Sequence, residues 1–120
     1  MGKPVVHFEI GCRDLGRTTE FYRNLFDWEI QPPSGLSAAI DTAAGDEGIQ
    51  GHFTALGHEP HNYVTVYIEV DDVQEYLDKA VELGAKPLLP VLNVPGQGVF
   101  TWIADPDGNV IGLWKTAVPS

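Results

Sequence analysis

His7 and Glu9 stand two residues apart in Val5-Val6-His7-Phe8-Glu9-Ile10-Gly11, and Gln50 and His52 stand two apart in Gly48-Ile49-Gln50-Gly51-His52. Alternate residues of a strand share a face, so each pair presents two polar side chains on one side. An imidazole beside a carboxylate can hold or move a proton near neutral pH. The same imidazoles with oxygen donors can hold a divalent cation. His7 and Glu9 are therefore the candidate catalytic residues, and His7, Glu9 and His52 could together face a metal ion. A third group is aromatic. Tyr67, Trp102 and Trp114 occupy strand positions, with Phe53 and Phe100 as possible neighbours and Glu69 two residues beyond Tyr67. Ring faces with a few polar anchors suit a flat or apolar small molecule, which makes Tyr67, Glu69, Trp102 and Trp114 the candidate ligand-binding residues. The plainer alternatives are a hydrogen-bonded His7, a surface His52, solvated or ion-paired carboxylates, and rings that pack a core. His58 and His61 fall in a polar connector and read as solvated.

The elements that must position these side chains come in two similar sets. His7 to Leu15 reads as an alternating strand, an Asp and a helix, and Thr65 to Val73 repeats that order 58 positions later. Val6, Phe8 and Ile10 form the apolar face of the first strand, near Val5–Gly11, so His7 and Glu9 face the other way. Asp14 caps a first helix whose buried side is expected to hold Leu15, Phe21, Tyr22, Leu25 and Phe26. Strands follow at Trp28–Ile30, near Leu36–Asp41 and near Gly48–Thr54. The second set opens with a strand over Tyr63–Val70, in which Val66, Ile68 and Val70 face the helix and Thr65, Tyr67 and Glu69 face away. Asp72 and Glu75 form a capping box. Val73, Tyr76, Leu77, Ala80, Val81 and Leu83 form the helical stripe, and Gly84 ends the helix. Strands are expected near Pro87–Leu92, Val99–Ala104 and Val110–Lys115, the last two joined by the tight turn Asp105-Pro106-Asp107-Gly108-Asn109. The order is strand, helix, three strands, twice over: an α+β fold in which two sheets curl around a shared cleft.

Composition bounds the function. At 120 residues with 43% hydrophobic and 20% charged content, the chain reads as one soluble globular domain, 1–120. Seventeen acidic against seven basic side chains give a net charge of −10, which argues against nucleic acid and anionic membranes as partners. No apolar run is long enough to span a bilayer and no secretory signal opens the sequence, so a cytoplasmic protein is expected. Cys12 is the one cysteine, which leaves neither a disulfide framework nor a thiolate cluster.

These residues resemble a known group. Val5-Val6-His7-Phe8-Glu9-Ile10 with Asp14-Leu15, Phe21-Tyr22-Arg23-Asn24-Leu25-Phe26-Asp27-Trp28, Ile68-Glu69-Val70-Asp71-Asp72, Leu83-Gly84-Ala85 and Ala104-Asp105-Pro106-Asp107-Gly108-Asn109-Val110-Ile111 together are similar to the vicinal oxygen chelate superfamily. That group holds glyoxalase I, bleomycin- and fosfomycin-resistance proteins and extradiol dioxygenases. The resemblance implies two paired βαβββ modules, about 4–57 and about 62–116, forming a curved half-barrel sheet. It also implies a homodimer and a divalent metal (zinc, nickel, manganese or iron) held by four positions. His7 matches the first and Gln50 the second. Thr65 falls at the third, where glyoxalase I has His, and Gly112 at the fourth, where most metal-binding members have Glu. Thr and Gly cannot replace an imidazole and a carboxylate around such an ion. Gly112 is expected to leave room beside Val110 and Trp114. The reading is therefore a glyoxalase/bleomycin-resistance-like protein that binds a small, aromatic or apolar molecule without the full standard metal site. The alternative is a divalent-metal-dependent lyase or dioxygenase using His7 with Glu9, Gln50 or His52.

Overall fold

Apolar alternation and two capped helices produce the order β1 (Val5–Gly11), α1 (Leu15–Phe26), β2 (Glu29–Ile30), β3 (Ser37–Asp41), β4 (Gln50–Thr54), β5 (Val64–Glu69), α2 (Val73–Glu82), β6 (Lys86–Pro87), β7 (Leu92–Val94), β8 (Gly98–Ala104) and β9 (Val110–Thr116). The structure is a computed structural model, and it describes residues 2–42 and 45–117. The fold is α+β. The chain divides into two compact units, one of residues 7–65 and one of residues 66 onward together with the first six. The N-terminal residues join the latter unit because Glu69 N–H donates to the Pro4 carbonyl at 3.0 Å and Lys3 pairs with Asp71 at 3.6 Å. No helix among the described residues is long and apolar enough to cross a membrane.

In the N-terminal unit β1 lies parallel to β4, and β3 runs antiparallel to both β4 and β2. The register sets Phe8 opposite Gly51 and Ile10 opposite Phe53 on one face, and His7 opposite Gln50 and Glu9 opposite His52 on the other. The first face is the core: Cys12, Ile30, Ala38, Ile40 and Phe53 are buried there, with Phe8, Ile10, Leu15, Tyr22 and Trp28 packed against them. Asp14 accepts a hydrogen bond from Arg17 N–H at 3.1 Å and starts α1. The helix buries less than its pattern predicts. Leu15 and Tyr22 reach the core, but Phe21, Leu25 and Phe26 are 58%, 58% and 52% exposed. The reason is aromatic bulk. The Tyr22 ring stacks on Trp28 at 5.3 Å and contacts Phe53 at 5.3 Å, and the Phe26 ring meets Trp28 at 5.3 Å. Those two large rings fill the space under the helix and leave its flanks outside. Cys12 is part of this core, and burial pushes its thiol up from the usual range.

The C-terminal unit repeats the plan with one addition. β5 is parallel to β9, β8 is antiparallel to β9, and both β6 and β7 pair with β8. The single strand expected near Pro87–Leu92 is two short pieces, β6 and β7, interrupted at Leu88–Val91. Pro90 has no N–H to give a ladder, which breaks the run. Asp72 accepts from Glu75 N–H at 3.0 Å and starts α2. Val73 and Leu77 are buried against the sheet, whereas Val81 and Leu83, expected on the stripe, are 45% and 73% exposed. They lie in the last turn, past the packed part of the helix.

The turn between β8 and β9 is held by one carboxylate. Asp105 accepts from Asp107 N–H at 2.9 Å, Asn109 N–H at 2.9 Å and the Asn109 side-chain amide at 3.0 Å. Gly108 takes φ 94°, a left-handed conformation that favours glycine. The Asn109 side chain first, and then the turn's backbone N–H groups, hold the Asp105 carboxyl below the usual carboxylate range. A depressed folded value stabilises above the unfolded pKa, and that contribution is lost as pH falls through the folded one. Asp105→Ala is therefore expected to lower the thermal midpoint at pH 7, with the gap to wild type closing below about pH 4. Melting both proteins across that range checks it.

Candidate functional site

On the face of β1 and β4 turned away from α1, Glu9 is buried at 4% exposure. A lone buried carboxylate would be costly, so its oxygens need partners. The Tyr63 hydroxyl donates to Oε2 in a short hydrogen bond, and His52 Nε2 lies 3.1 Å from Oε1. His52 Nδ1 in turn lies 2.7 Å from His7 Nε2. Hydrogen positions follow from this chemistry. A carboxylate oxygen only accepts, so His52 Nε2 carries the hydrogen. With Nε2–H turned to the carboxylate, Nδ1 faces His7 as an acceptor, and His7 Nε2–H donates to it. The result is one directed line, His7 to His52 to Glu9, with Tyr63 closing the other carboxylate oxygen. Burial first, and then the neighbouring His52 ring, push His7 down to about 4, so it is neutral at pH 7. Burial first, and then Glu9, push the Tyr63 hydroxyl up, so it stays protonated.

Tyr63 reaches Glu9 because position 11 has no side chain. A Cβ on Gly11 would collide with the Tyr63 ring, and Gly11 N–H donates to the Tyr63 carbonyl at 2.8 Å. Sequence reasoning read Tyr63 only as the start of a strand. The available signal was a glycine two residues after a buried glutamate, on the same face.

Gln50 sits opposite His7 in register, but its side chain is engaged elsewhere. Its Oε1 accepts from Thr42 N–H at 2.7 Å, and its Nε2 donates to Asp41 at 2.8 Å. Thr42 N–H as donor and the Asp41 carboxylate at the end of β3 as acceptor hold the amide there. His7, Glu9 and His52 are thus brought together and Gln50 is not. His52, half-buried, is no surface residue.

The corresponding face of the C-terminal unit is aromatic. Tyr67 pairs with Gly112, and Trp102 pairs with Gly112 from β8. Trp102 Nε1–H donates to the Tyr67 hydroxyl at 2.8 Å, and Phe100 meets the Tyr67 ring edge-on at 6.2 Å. Tyr67 is 5% exposed, and a Cβ at 112 would collide with its ring. The space that Gly112 was expected to leave beside Val110 and Trp114 is therefore occupied by Tyr67. Glu69 anchors the end of β9: its carboxylate accepts from Thr116 N–H at 2.9 Å and from the Thr116 hydroxyl at 3.3 Å, while Trp114 Nε1–H donates to that hydroxyl at 2.9 Å. Tyr67, Glu69, Trp102 and Trp114 share this face.

The repeat also relocates the ligand positions. Glu9 and Tyr67 are 58 apart, and their partners are His52 and Gly112. Gly112 is thus the counterpart of His52, not of Gln50. A divalent ion needs three or four donors at about 2.0–2.2 Å. Here His7 and His52 spend their facing nitrogens on each other, Glu9 is taken up by Tyr63 and the far side of His52, and Gln50 is turned away. Among the described residues no group of three or more His, Cys, Asp or Glu side chains is arranged to hold a metal. The donor set does not fit the ion the resemblance implies.

This fold, with its duplicated βαβββ units, defines a class, and comparison with known proteins gives the family. A glyoxalase-like domain model matches residues 6–114, and the chain belongs to that family. The Mycobacterium bovis protein CFP32 is 27% identical over 113 residues, covering 89% of this chain and 43% of that protein. The anthracycline biosynthesis protein DnrV of Streptomyces peucetius is 23% identical over 127 residues, covering 92% of this chain and 46% of that protein. The chain thus spans less than half the length of these relatives. A glyoxalase/bleomycin resistance protein/dioxygenase superfamily member from Vibrio splendidus superposes with a TM-score of 0.64 at 14% identity, covering 97% of this chain and 100% of that one, which shows the shared fold.

Proposed function

We propose that this glyoxalase-like domain binds a small, flat aromatic or apolar molecule on the aromatic face of its C-terminal unit, without the full standard metal site. The observation that carries this reading is the Tyr67–Gly112 contact. The position at which the resemblance would place a liganding carboxylate is given to a ring, and Trp102 is oriented by its bond to the Tyr67 hydroxyl. Trp102 and Trp114 donate their N–H groups in the ring plane, and indole rings with a satisfied polar edge are suited to stacking on a flat partner. The relative DnrV is an anthracycline biosynthesis protein, and anthracyclines, as flat polycyclic aromatics, make a fitting first probe.

Tryptophan fluorescence titrated with an anthracycline and a set of smaller planar aromatics tests the reading. The expected result is saturable quenching at micromolar ligand, weakened at least about tenfold in Trp102→Ala, which corresponds to about 1.4 kcal/mol. Trp28 lies in the core of the other unit and is left in place. Equal affinity in Trp102→Ala, or no quenching across the set, overturns the proposal.

A further inference from the structure

We infer that His7 and His52 are joined by a proton where the resemblance would place a divalent metal, with Glu9 fixing which nitrogen carries it, so this domain handles its ligand without a metal at these histidines. The inference stands on the N-terminal unit alone and is independent of the aromatic-face proposal.

Donors and lone pairs decide the matter. Glu9 is 4% exposed and accepts from Tyr63 and from His52 Nε2–H. A buried carboxylate at that nitrogen fixes the His52 tautomer, because the Nδ1–H form would set a lone pair against the carboxylate. His52 Nδ1 then has a lone pair, and His7 Nε2 fills it at 2.7 Å. The ring centroids are 4.9 Å apart with an interplanar angle of 34°, so the rings meet edge to edge as a hydrogen-bonded pair. A metal ion would have to strip the hydrogen from His7 Nε2, separate the two nitrogens and recruit further donors. The nearest strand amide, Gln50, would first have to give up Asp41 and Thr42. Each of those steps breaks a hydrogen bond, and the first two do so beside the buried Glu9 carboxylate.

Two measurements on the whole chain test this. After dialysis against chelator, the wild-type protein is titrated calorimetrically with zinc, nickel, manganese and ferrous ions. In parallel, proton–nitrogen correlation spectra report the histidine side chains at pH 7. The expected result is no uptake of one ion per chain at micromolar concentration, together with a hydrogen on Nε2 of both His7 and His52. A downfield imidazole proton should persist in the presence of zinc and shift in Glu9→Gln, which keeps an acceptor oxygen and the side-chain shape. Metal uptake that leaves that proton signal in place is binding elsewhere and supports the inference. Uptake of one ion per chain that erases the signal overturns it. Because the decisive readouts are on wild type, a variant that folds poorly does not blunt the test.

Discussion

Gly112→Glu is expected to destabilise the C-terminal unit, not to complete a metal site. On the resemblance alone this substitution supplies the missing fourth ligand and ought to enable metal binding. The contacts argue otherwise. Tyr67 lies over position 112, is 5% exposed, and is fixed by Trp102 and by its pairing in β5. A glutamate must displace that ring or strand its own carboxylate among aromatic faces. Overpacking costs about 1–3 kcal/mol, and an unpaired buried carboxylate adds to that. A loss of at least about 3 kcal/mol is expected, a large share of the roughly 5–15 kcal/mol that holds a domain together. Urea denaturation followed by near-ultraviolet circular dichroism would report it. A stable variant that also takes up zinc would show that Tyr67 yields easily.

Removal of the buried carboxylate should have an effect of similar size. Glu9→Ala leaves the Tyr63 hydroxyl and His52 Nε2–H aimed at a vacancy and frees His52 to change tautomer, which dissolves its bond to His7. Breaking a buried pair by deleting one partner costs about 3–5 kcal/mol. Glu9→Gln keeps an acceptor oxygen and should cost about 1–2 kcal/mol. The ratio between the two variants, measured by urea midpoint, is the informative quantity. If both cost the same small amount, Glu9 contributes volume only, and the directed hydrogen-bond line is not a source of stability.

Much of this arrangement was legible in the residues. Period-two alternation separated His7 and Glu9 from Phe8 and Ile10, and the register places them on opposite faces. The pairing of Gln50 with His52 on one strand rested on the same rule, and so did the placing of Tyr67 and Glu69 on one face. The misses have physical causes. Gln50 was read by its match to the second ligand position, whereas an amide goes to whichever partners lie nearest, here Asp41 and Thr42. The role of Tyr63 depends on a long-range approach across Gly11, which no local pattern encodes. Phe21, Leu25 and Phe26 obey helical periodicity, but Tyr22 and Trp28 had already filled the volume they would have entered. Periodicity specifies a direction and not the space available in that direction.

The two glycine–tyrosine contacts bear on how such a domain can change over time. Tyr63 covers Gly11 and Tyr67 covers Gly112, so in each pair one residue supplies the side chain that the other lacks. Mutational paths through these positions are therefore ordered. An acidic residue becomes tolerable at 112 only after Tyr67 has shrunk, and any side chain at 11 only after Tyr63 has gone. A lineage moving from an aromatic face toward a liganding one must pass through the loss of the ring first, and the reverse path must lose the acid first. Each half thus carries a ratchet of sign epistasis, set by a single Cβ.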